Sequence, residues 1–155
     1  MTSALDEWTM TLAGVIANAL VDFRQNVHDR VVIFAVDCHP WNGVLGLAFL
    51  TDAEVEDDPL LSDPAEMAVW KHFDFASGLS SWQHAAELAM QMRAAYEKTA
   101  EDRAGIAEGY FRACAVAVAS RVVQEALSRY DLRDPFKISV AHPDTGIEFY
   151  LEQEQ

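Results

Sequence analysis

Basic residues are scarce in this chain. Lys and Arg together number 11 among 155 residues, against 25 Asp and Glu, for a formal net charge of −14 at pH 7. Phosphate backbones and anionic membrane surfaces are bound by clustered Lys and Arg, so the composition disfavours both nucleic acid and membrane as partners. A basic protein partner is compatible with the charge, because opposite charges speed association. Composition alone favours the simpler explanation, that the acidity keeps the protein soluble.

Cysteines and long apolar runs are also scarce. Cys38 and Cys114 are the two cysteines, and each lies in an apolar stretch. This pattern favours buried free thiols in a reducing compartment, with a single disulfide between them as the open alternative. The longest uninterrupted apolar run, Ala113 to Ala119, is too short to span a bilayer. The N-terminal stretch carries acids and no base, unlike a signal peptide, so we expect a cytoplasmic protein.

Motifs that carry known chemistry are missing. The chain has no glycine-rich phosphate loop, no G-x-S-x-G turn and no H-E-x-x-H helix. Asp37, Cys38 and His39 are metal-ligand types, with His142 nearby if its turn lies beside theirs, but on a strand Cys38 faces away from the other two. Cys38 also lacks the electropositive setting that a nucleophile needs. We therefore predict no catalytic residue, no metal site and no cofactor.

The first segment predicts an amphipathic helix over residues 3–25. Apolar residues recur there with a period near 3.6, and Ser3 is a suitable N-cap. The recurring positions are Leu5, Trp8, Leu12, Val15, Ile16, Ala19, Leu20 and Phe23. Because the chain has the length of one domain and is 51% hydrophobic, we expect this helix to pack within a single compact unit.

The stretch Val31 to Thr51 predicts a β-hairpin at the centre of the fold. Its first apolar run is rich in β-branched residues, and both the odd and the even positions are apolar, which is typical of a strand covered on both faces. The turn from His39 to Gly43 contains Pro40 and the Asn42-Gly43 pair, which tolerates positive φ. Gly46 in the second strand indicates either a bulge or the close approach of another element.

Acidic residues are concentrated just after this hairpin. The segment from Thr51 to Glu66 predicts an exposed loop with a helical turn after Asp63-Pro64, and no Lys or Arg occurs from Val31 through Trp70. We predict that this segment contributes to partner binding, together with the tryptophan at the hairpin turn. That tryptophan either anchors an interface or covers the core. The candidate partner-binding residues are Trp41, Asp52, Glu54, Glu56, Asp57 and Asp58.

The remaining segments predict one more strand, two helices and a closing hairpin. We expect the strand at Ala68–Phe75, a helix from Ser80 with Gln83 completing a capping box, and a buried alanine-rich helix over Ile106–Tyr130. Alternation on both sides of the turn His142–Gly146 predicts a hairpin over residues 136–151. The expected fold is a single α+β domain with a mainly antiparallel sheet of about five strands and three longer helices, in the order α-β-β-β-α-α-β-β.

The outline of the chain has one resemblance. The stretch VVIFAVDCHPWNGVLGLAFLTDAE is followed by WKHFDF, a helix that begins near a Trp, and a closing strand pair. This outline resembles domain-of-unknown-function family 4303, an uncharacterised bacterial family. The resemblance covers most of the chain and implies a small acidic α+β domain, with some members encoded among the immunity proteins of polymorphic toxin systems. It carries no site motif, so no residue role is transferred.

Two functional hypotheses follow. The first is a cytoplasmic protein-binding module, of the immunity type, that caps a basic protein partner through its acidic face; a homodimer is also compatible with the sequence. The second is a small-molecule-binding protein or an enzyme, with a pocket between the sheet and the alanine-rich helix.

Overall fold

The hairpin predicted between residues 31 and 51 is the centre of the structure. In the computed structural model, which describes residues 2–151, β1 (Val31–His39) and β2 (Val44–Thr51) form an antiparallel pair. Gly43 in the turn has a φ of 66°, a left-handed value that glycine adopts without steric cost. A Cβ on Gly46 would lie 3.1 Å from Asp74 Oδ1, so this glycine marks the close approach of another element.

The N-terminal helix α1 (Ala4–Phe23) is confirmed, and so is its N-cap. The Asp6 N–H donates to Ser3 Oγ at 3.0 Å, and the Ser3 N–H donates back to the Asp6 carboxylate at 3.4 Å. These two bonds satisfy donors that the first turn of a helix otherwise leaves without partners. The predicted apolar face lies in the core, with Leu12, Ile16 and Leu20 fully buried.

The sheet is smaller and more mixed than the sequence predicts. The other elements are α2 (Asp52–Asp57), α3 (His84–Lys98), α4 (Arg103–Ala119), α5 (Arg121–Leu127) and β3 (Leu132–Ser139). The strand order is β2-β1-β3, and β3 runs parallel to β1. The α+β class holds, but the antiparallel sheet of about five strands and the order α-β-β-β-α-α-β-β are wrong. Residues 2–151 instead follow the order α-β-β-α-α-α-α-β, with three strands and five α-helices.

The strand predicted at Ala68–Phe75 is replaced by 3₁₀ turns. A single bridge between Phe49 and His72 is what remains of the expected pairing. Asp74 has a φ of 53°, and a left-handed residue cannot continue an extended ladder. The Trp70 side chain is buried against the sheet without belonging to a strand, and its Nε1–H donates to the Leu61 carbonyl at 2.9 Å. The aromatic residues that suggested a strand therefore act as separate anchors of an irregular segment.

The predicted closing hairpin keeps its turn and loses its second strand. The Gly146 N–H donates to the His142 carbonyl at 2.9 Å, as the turn chemistry predicts. Beyond the turn, the bridge between Ala141 and Glu148 is isolated. The Val140 N–H donates to the Glu148 carboxylate at 2.6 Å, so a side chain takes a donor that a partner strand would have used. The Phe149 N–H still donates to the Val140 carbonyl at 2.8 Å, and its ring stacks on the ring of Phe111 in α4 at a centroid distance of 5.1 Å.

The long helix predicted at Ile106–Tyr130 is two helices. Ser120 is extended, with ψ of 154°, and separates α4 from α5. Its hydroxyl donates to the Ala117 carbonyl, and the Gln124 side chain donates to the Val118 carbonyl, which together satisfy the broken helix end. The helix expected from Ser80 begins at His84, and a 3₁₀ turn without a side-chain cap takes the place of the predicted capping box.

The sheet is covered on both faces. Phe34, Val36 and Phe49 belong to the larger apolar cluster, which α1, α3, α4 and α5 complete. On the opposite face, a second cluster is covered by Val55 and Leu61 of the acidic segment and by Met67, Trp70 and Phe73 just after it, of which Trp70 is buried. The members of the second cluster are Val32, Ile33, Ala35, Ala48, Leu50 and Trp70. The segment predicted to be exposed is mostly exposed, and the predicted turn after Asp63-Pro64 is present as a 3₁₀ helix, Pro64–Val69, that Asp63 caps. Its few half-buried apolar residues nevertheless make it part of a layer on the sheet.

The two cysteines meet in the larger cluster as free, buried thiols. The pKa of Cys38 is raised well above its ordinary value, most strongly by a hydrogen bond with Cys114 and next by burial. The Cys38 thiol also lies 3.7 Å from the Met92 sulfur. Such surroundings disfavour the thiolate, which is the reactive form.

Within residues 2–151, none of the helices combines the length and the apolar character that a membrane crossing requires.

Tyr130 provides a test of the packing between α1 and α5. Its hydroxyl donates to the Leu20 carbonyl at 2.6 Å in a buried setting. Tyr130→Phe removes this buried hydrogen bond, so we expect the free energy of unfolding to fall by about 0.5–1.5 kcal/mol. Urea denaturation followed by Trp fluorescence measures this. Tyr110→Phe is the matched control, because the Tyr110 hydroxyl has no hydrogen bond within residues 2–151. An equal loss in both variants would contradict the role given to the bond.

Candidate functional site

A hydrogen-bonded carboxylate and imidazole lie near the end of the central strand. Asp37 and His39 follow Ala35 at intervals of two residues and therefore share its face of the sheet. The His39 Nε2–H donates to Asp37 Oδ1 at 2.8 Å, with side-chain exposures of 26% for His39 and 13% for Asp37. Cys38 points to the opposite face. The predicted facing of these three residues is confirmed.

The pairing changes the proton affinity of His39. Its hydrogen bond to Asp37 raises the pKa of His39 above the ordinary 6.5, burial opposes the rise, and the charges of Asp37 and Asp144 support it. A histidine whose pKa is raised on folding stabilises the fold below its unfolded pKa. That contribution is lost as the pH rises through the folded pKa.

Two clefts open beside Asp37. The first, of about 640 Å³, lies between the start of β2 and α3, and Asp37, Asp74 and Trp82 line it. Asp74 is held in the left-handed conformation there, which is uncommon for a residue other than glycine. Burial raises the pKa of Asp74, the nearby charge of Asp37 raises it further, and a hydrogen bond with Ser77 lowers it.

The second cleft, of about 460 Å³, lies where β3 ends beside β1. It is lined by both strands, by the turn after β3 and by the acidic segment. The polar side chains at its surface are Asp37, Asp63, Lys137, Ser139, His142, Asp144, Thr145 and Glu148. Parallel strands bring their carboxyl ends to one edge, and crevices at such edges are common ligand sites.

Two residues of the second cleft are fixed by their neighbours. Glu148 accepts hydrogen bonds from the Ser139 hydroxyl at 2.6 Å and from the Val140 and Tyr150 N–H groups at 2.6 and 3.0 Å. Its charge is therefore used within the fold. His142 Nδ1 accepts from the backbone N–H of Asp144 at 3.1 Å, so its neutral form carries the proton on Nε2.

The chemical capacity of this region is binding of a small polar ligand and proton transfer. A histidine hydrogen-bonded to a carboxylate can accept a proton and return it. Lys137 adds a cation at the second cleft, while Asp37 and Asp144 add anions. No group of three His, Cys, Asp or Glu side chains within residues 2–151 is arranged to hold a metal ion.

The acidic residues predicted to bind a partner divide into two groups. Asp52 accepts from Arg133 at 3.0 Å and pairs with Arg30 at 3.6 Å. Glu54 accepts from the Thr51 hydroxyl at 2.7 Å and from the Lys71 N–H at 2.7 Å. These two carboxylates hold α2 onto the sheet.

Glu56, Asp57 and Asp58 are exposed at the end of α2 and just beyond it. Asp63 and Glu66, which follow along the same segment, are exposed as well. We call these five residues the acidic surface. Asp58 and Asp63 each accept one local backbone N–H, from Leu60 and Ala65. None of the five forms an ion pair with another residue in the described part of the chain.

Trp41 lies at the other end of the hairpin from the acidic surface. The strand β2 separates it from Asp52 by roughly 25 Å, because each strand residue advances about 3.3 Å. Its half-buried ring contacts His142, His39 and Phe111 at centroid distances of 5.4, 5.7 and 6.3 Å. Trp41 thus covers the end of the core, and the structure does not bring it together with the predicted acidic residues.

The sequence predicts that Asp37 and His39 lie on one face of a strand, but it does not predict the clefts around the pair. The signal was their spacing of two residues on a strand. Asp74 carried no such signal, because nothing local indicates which strand it will approach, and it comes close only through long-range packing. The predicted hairpin placed Glu148 beside β3 but did not indicate that its carboxylate would accept the Val140 N–H.

Nuclear magnetic resonance titration of His39 tests the pairing with Asp37. We expect its pKa to lie above 6.5 in the native chain and to fall below that value in Asp37→Asn, where burial then dominates. Asp144→Asn is the control and should lower the pKa by a smaller amount, because Asp144 is the weakest of the contributions. An unchanged pKa in Asp37→Asn would contradict the assigned hydrogen bond.

No protein-family model, no curated protein and no solved structure matches this chain. The resemblance to family 4303 therefore stays a prediction.

Proposed function

We propose that the chain is a protein-binding module of the immunity type, whose acidic surface docks a basic protein partner. The observation that carries this proposal is the set of five exposed carboxylates at Glu56, Asp57, Asp58, Asp63 and Glu66, which no Lys or Arg of residues 2–151 neutralises. Opposite charge on a partner would complement this surface and speed encounter with it.

The contrast with the helices supports the proposal. Glu97, Glu108 and Glu125 each pair with an arginine four residues away on the same helix, at 3.0, 2.8 and 3.1 Å. Those pairs cancel charge locally. In the acidic segment, Arg30 and Arg133 approach only Asp52, and the outward carboxylates are left for solvent or a partner.

The support given to the acidic segment adds a second argument. Asp52 and Glu54 anchor α2, and Trp70 is 3% exposed beneath the segment. A surface that is held before binding loses less conformational entropy when a partner docks.

Charge neutralisation tests the proposal. The triple variant Glu56→Gln, Asp57→Asn, Asp58→Asn should lose a basic protein that the native chain captures from host lysate. The matched control, Glu7→Gln, Asp22→Asn, Glu87→Gln, removes the same number of exposed charges elsewhere and should retain capture. Binding should also weaken steeply as the salt concentration rises from 50 to 500 mM, because added salt screens the attraction between opposite charges. The Debye length falls from about 10 Å at 0.1 M to about 3 Å at 1 M.

Three results would contradict it: no captured protein, capture that is insensitive to salt, or equal loss of capture in both triple variants. The last result would show that net charge acts without a defined surface. The identity of the captured protein then decides whether the immunity-type relationship is correct.

The second candidate function is binding or conversion of a small molecule. The observation in its favour is the Asp37–His39 pair between two clefts. The first cleft does lie between the sheet and a helix, but that helix is α3 and not the alanine-rich α4. The second cleft lies on the opposite face of the sheet.

A thermal-shift screen of metabolites tests this second candidate. At a concentration of about 100 times its Kd, a ligand that binds only the folded state adds about 2.7 kcal/mol of stability. We expect any such hit to raise the Tm of the native chain by several degrees and to lose its effect in Asp37→Asn. The acidic-surface triple variant is the control and should respond as the native chain does. A flat screen would count against a ligand in either cleft.

A further inference from the structure

A third cleft has the opposite electrostatic character to the rest of the surface. It has a volume of about 630 Å³ and lies between the ends of α1 and α5. Its lining is Val21, Arg24, Gln25, Val27, His28, Arg129, Tyr130 and Asp131. Two arginines and a histidine therefore face one cavity in a chain of net charge −14, with Asp131 as the one acidic lining residue.

The two guanidinium groups of this cleft have no hydrogen-bond or ion-pair partner in the described part of the chain. Neither Arg24 nor Arg129 makes an ion pair or a side-chain hydrogen bond within residues 2–151. Five of the other arginines do pair with carboxylates: Arg30, Arg93, Arg112, Arg121 and Arg133. The scarcity of basic residues makes two unpaired arginines at one cavity a specific arrangement.

Stabilisation of helix ends is the competing explanation for these arginines, since cations favour the carbonyl end of a helix. Other groups already satisfy carbonyls there. The Tyr130 hydroxyl donates to the Leu20 carbonyl in the last turn of α1. At the end of α5, the backbone N–H groups of Arg129 and Tyr130 donate to the carbonyls of Ala126 and Leu127 at 3.3 and 3.0 Å. Neither guanidinium donates a hydrogen bond to a carbonyl within residues 2–151, so neither acts as a hydrogen-bonding cap.

We propose that this cleft binds a small phosphomonoester, with Arg24 and Arg129 holding the phosphate. A guanidinium offers a planar fork of donors that matches phosphate oxygens, and two forks suit a dianion better than a monoanionic carboxylate. Val21, Val27 and the ring of Tyr130 supply an apolar wall for the organic part. The volume falls in the range of small-molecule sites.

The surrounding charge makes both arginines necessary. The negative net charge and the carbonyl ends of α1 and α5 all repel an anion. Asp131, at the edge of the cleft, adds a further repulsion. Removal of its charge should therefore tighten binding, which a merely structural role of the cleft does not predict.

Isothermal titration of the native chain with phenyl phosphate and with inorganic phosphate tests the site. We expect phenyl phosphate to bind more tightly than inorganic phosphate, because its ring meets the apolar wall. Arg24→Gln and Arg129→Gln should each weaken binding about tenfold or more, and the double variant should abolish it. Asp131→Asn should strengthen binding several-fold.

Arg121→Gln is the matched control, since it removes a positive charge from α5 at an ion pair outside the cleft, and it should leave binding unchanged. Circular dichroism establishes that each variant is folded. The site does not include the acidic surface, so the neutralised triple variant should still bind phenyl phosphate even where partner capture is lost.

The proposal is overturned if neither probe binds, or if the arginine variants bind as the native chain does. Sedimentation with vesicles that contain phosphatidic acid separates the two sources of a phosphomonoester group. Binding to vesicles without binding to soluble phenyl phosphate would overturn a small-molecule site, while binding to the soluble probe alone supports it.

Discussion

Burial of β1 on both faces is the constraint on which the rest of the structure depends. A strand that is apolar on both sides needs two separate covers. The helices supply one, against Phe34 and Val36, and the segment after β2 supplies the other, against Ile33 and Ala35. The acidic segment is therefore a structural layer, and its carboxylates are displayed because its apolar residues are fixed on the sheet.

The same constraint creates the polar site. The apolar layer supplied by the segment after β2 ends before β1 does. Asp37 and His39, which lie on the same face of β1 as Ala35, therefore have no apolar layer of that segment above them. A carboxylate in that position needs a partner, and His39 provides it at 2.8 Å. The clefts on either side exist because the irregular segment and the turn after β3 approach Asp37 without covering it completely.

Charge is distributed over three surfaces with distinct surroundings. On the long helices, arginine neutralises glutamate at a spacing of four residues. Within residues 2–151, the carboxylates of the acidic surface form no ion pair, and neither do the two arginines of the cleft between α1 and α5, although Asp131 lines the same cleft. Such separation leaves electrostatic potential available for partners, whereas intermixed charges would cancel it.

The sequence by itself determined the local elements: the capped first helix, the central hairpin with its positive-φ Gly43, the opposite facing of Asp37 and Cys38, and the turn at His142–Gly146. Each depends on residues close together along the chain, where periodicity and turn chemistry act directly. Tertiary structure alone decided the parallel pairing of β3, the break at Ser120, the loss of two predicted strands, and the clefts. Those outcomes depended on contacts that local patterns do not specify, such as the approach of Asp74 to Gly46 and the Glu148 carboxylate that accepts the Val140 N–H in place of a strand partner.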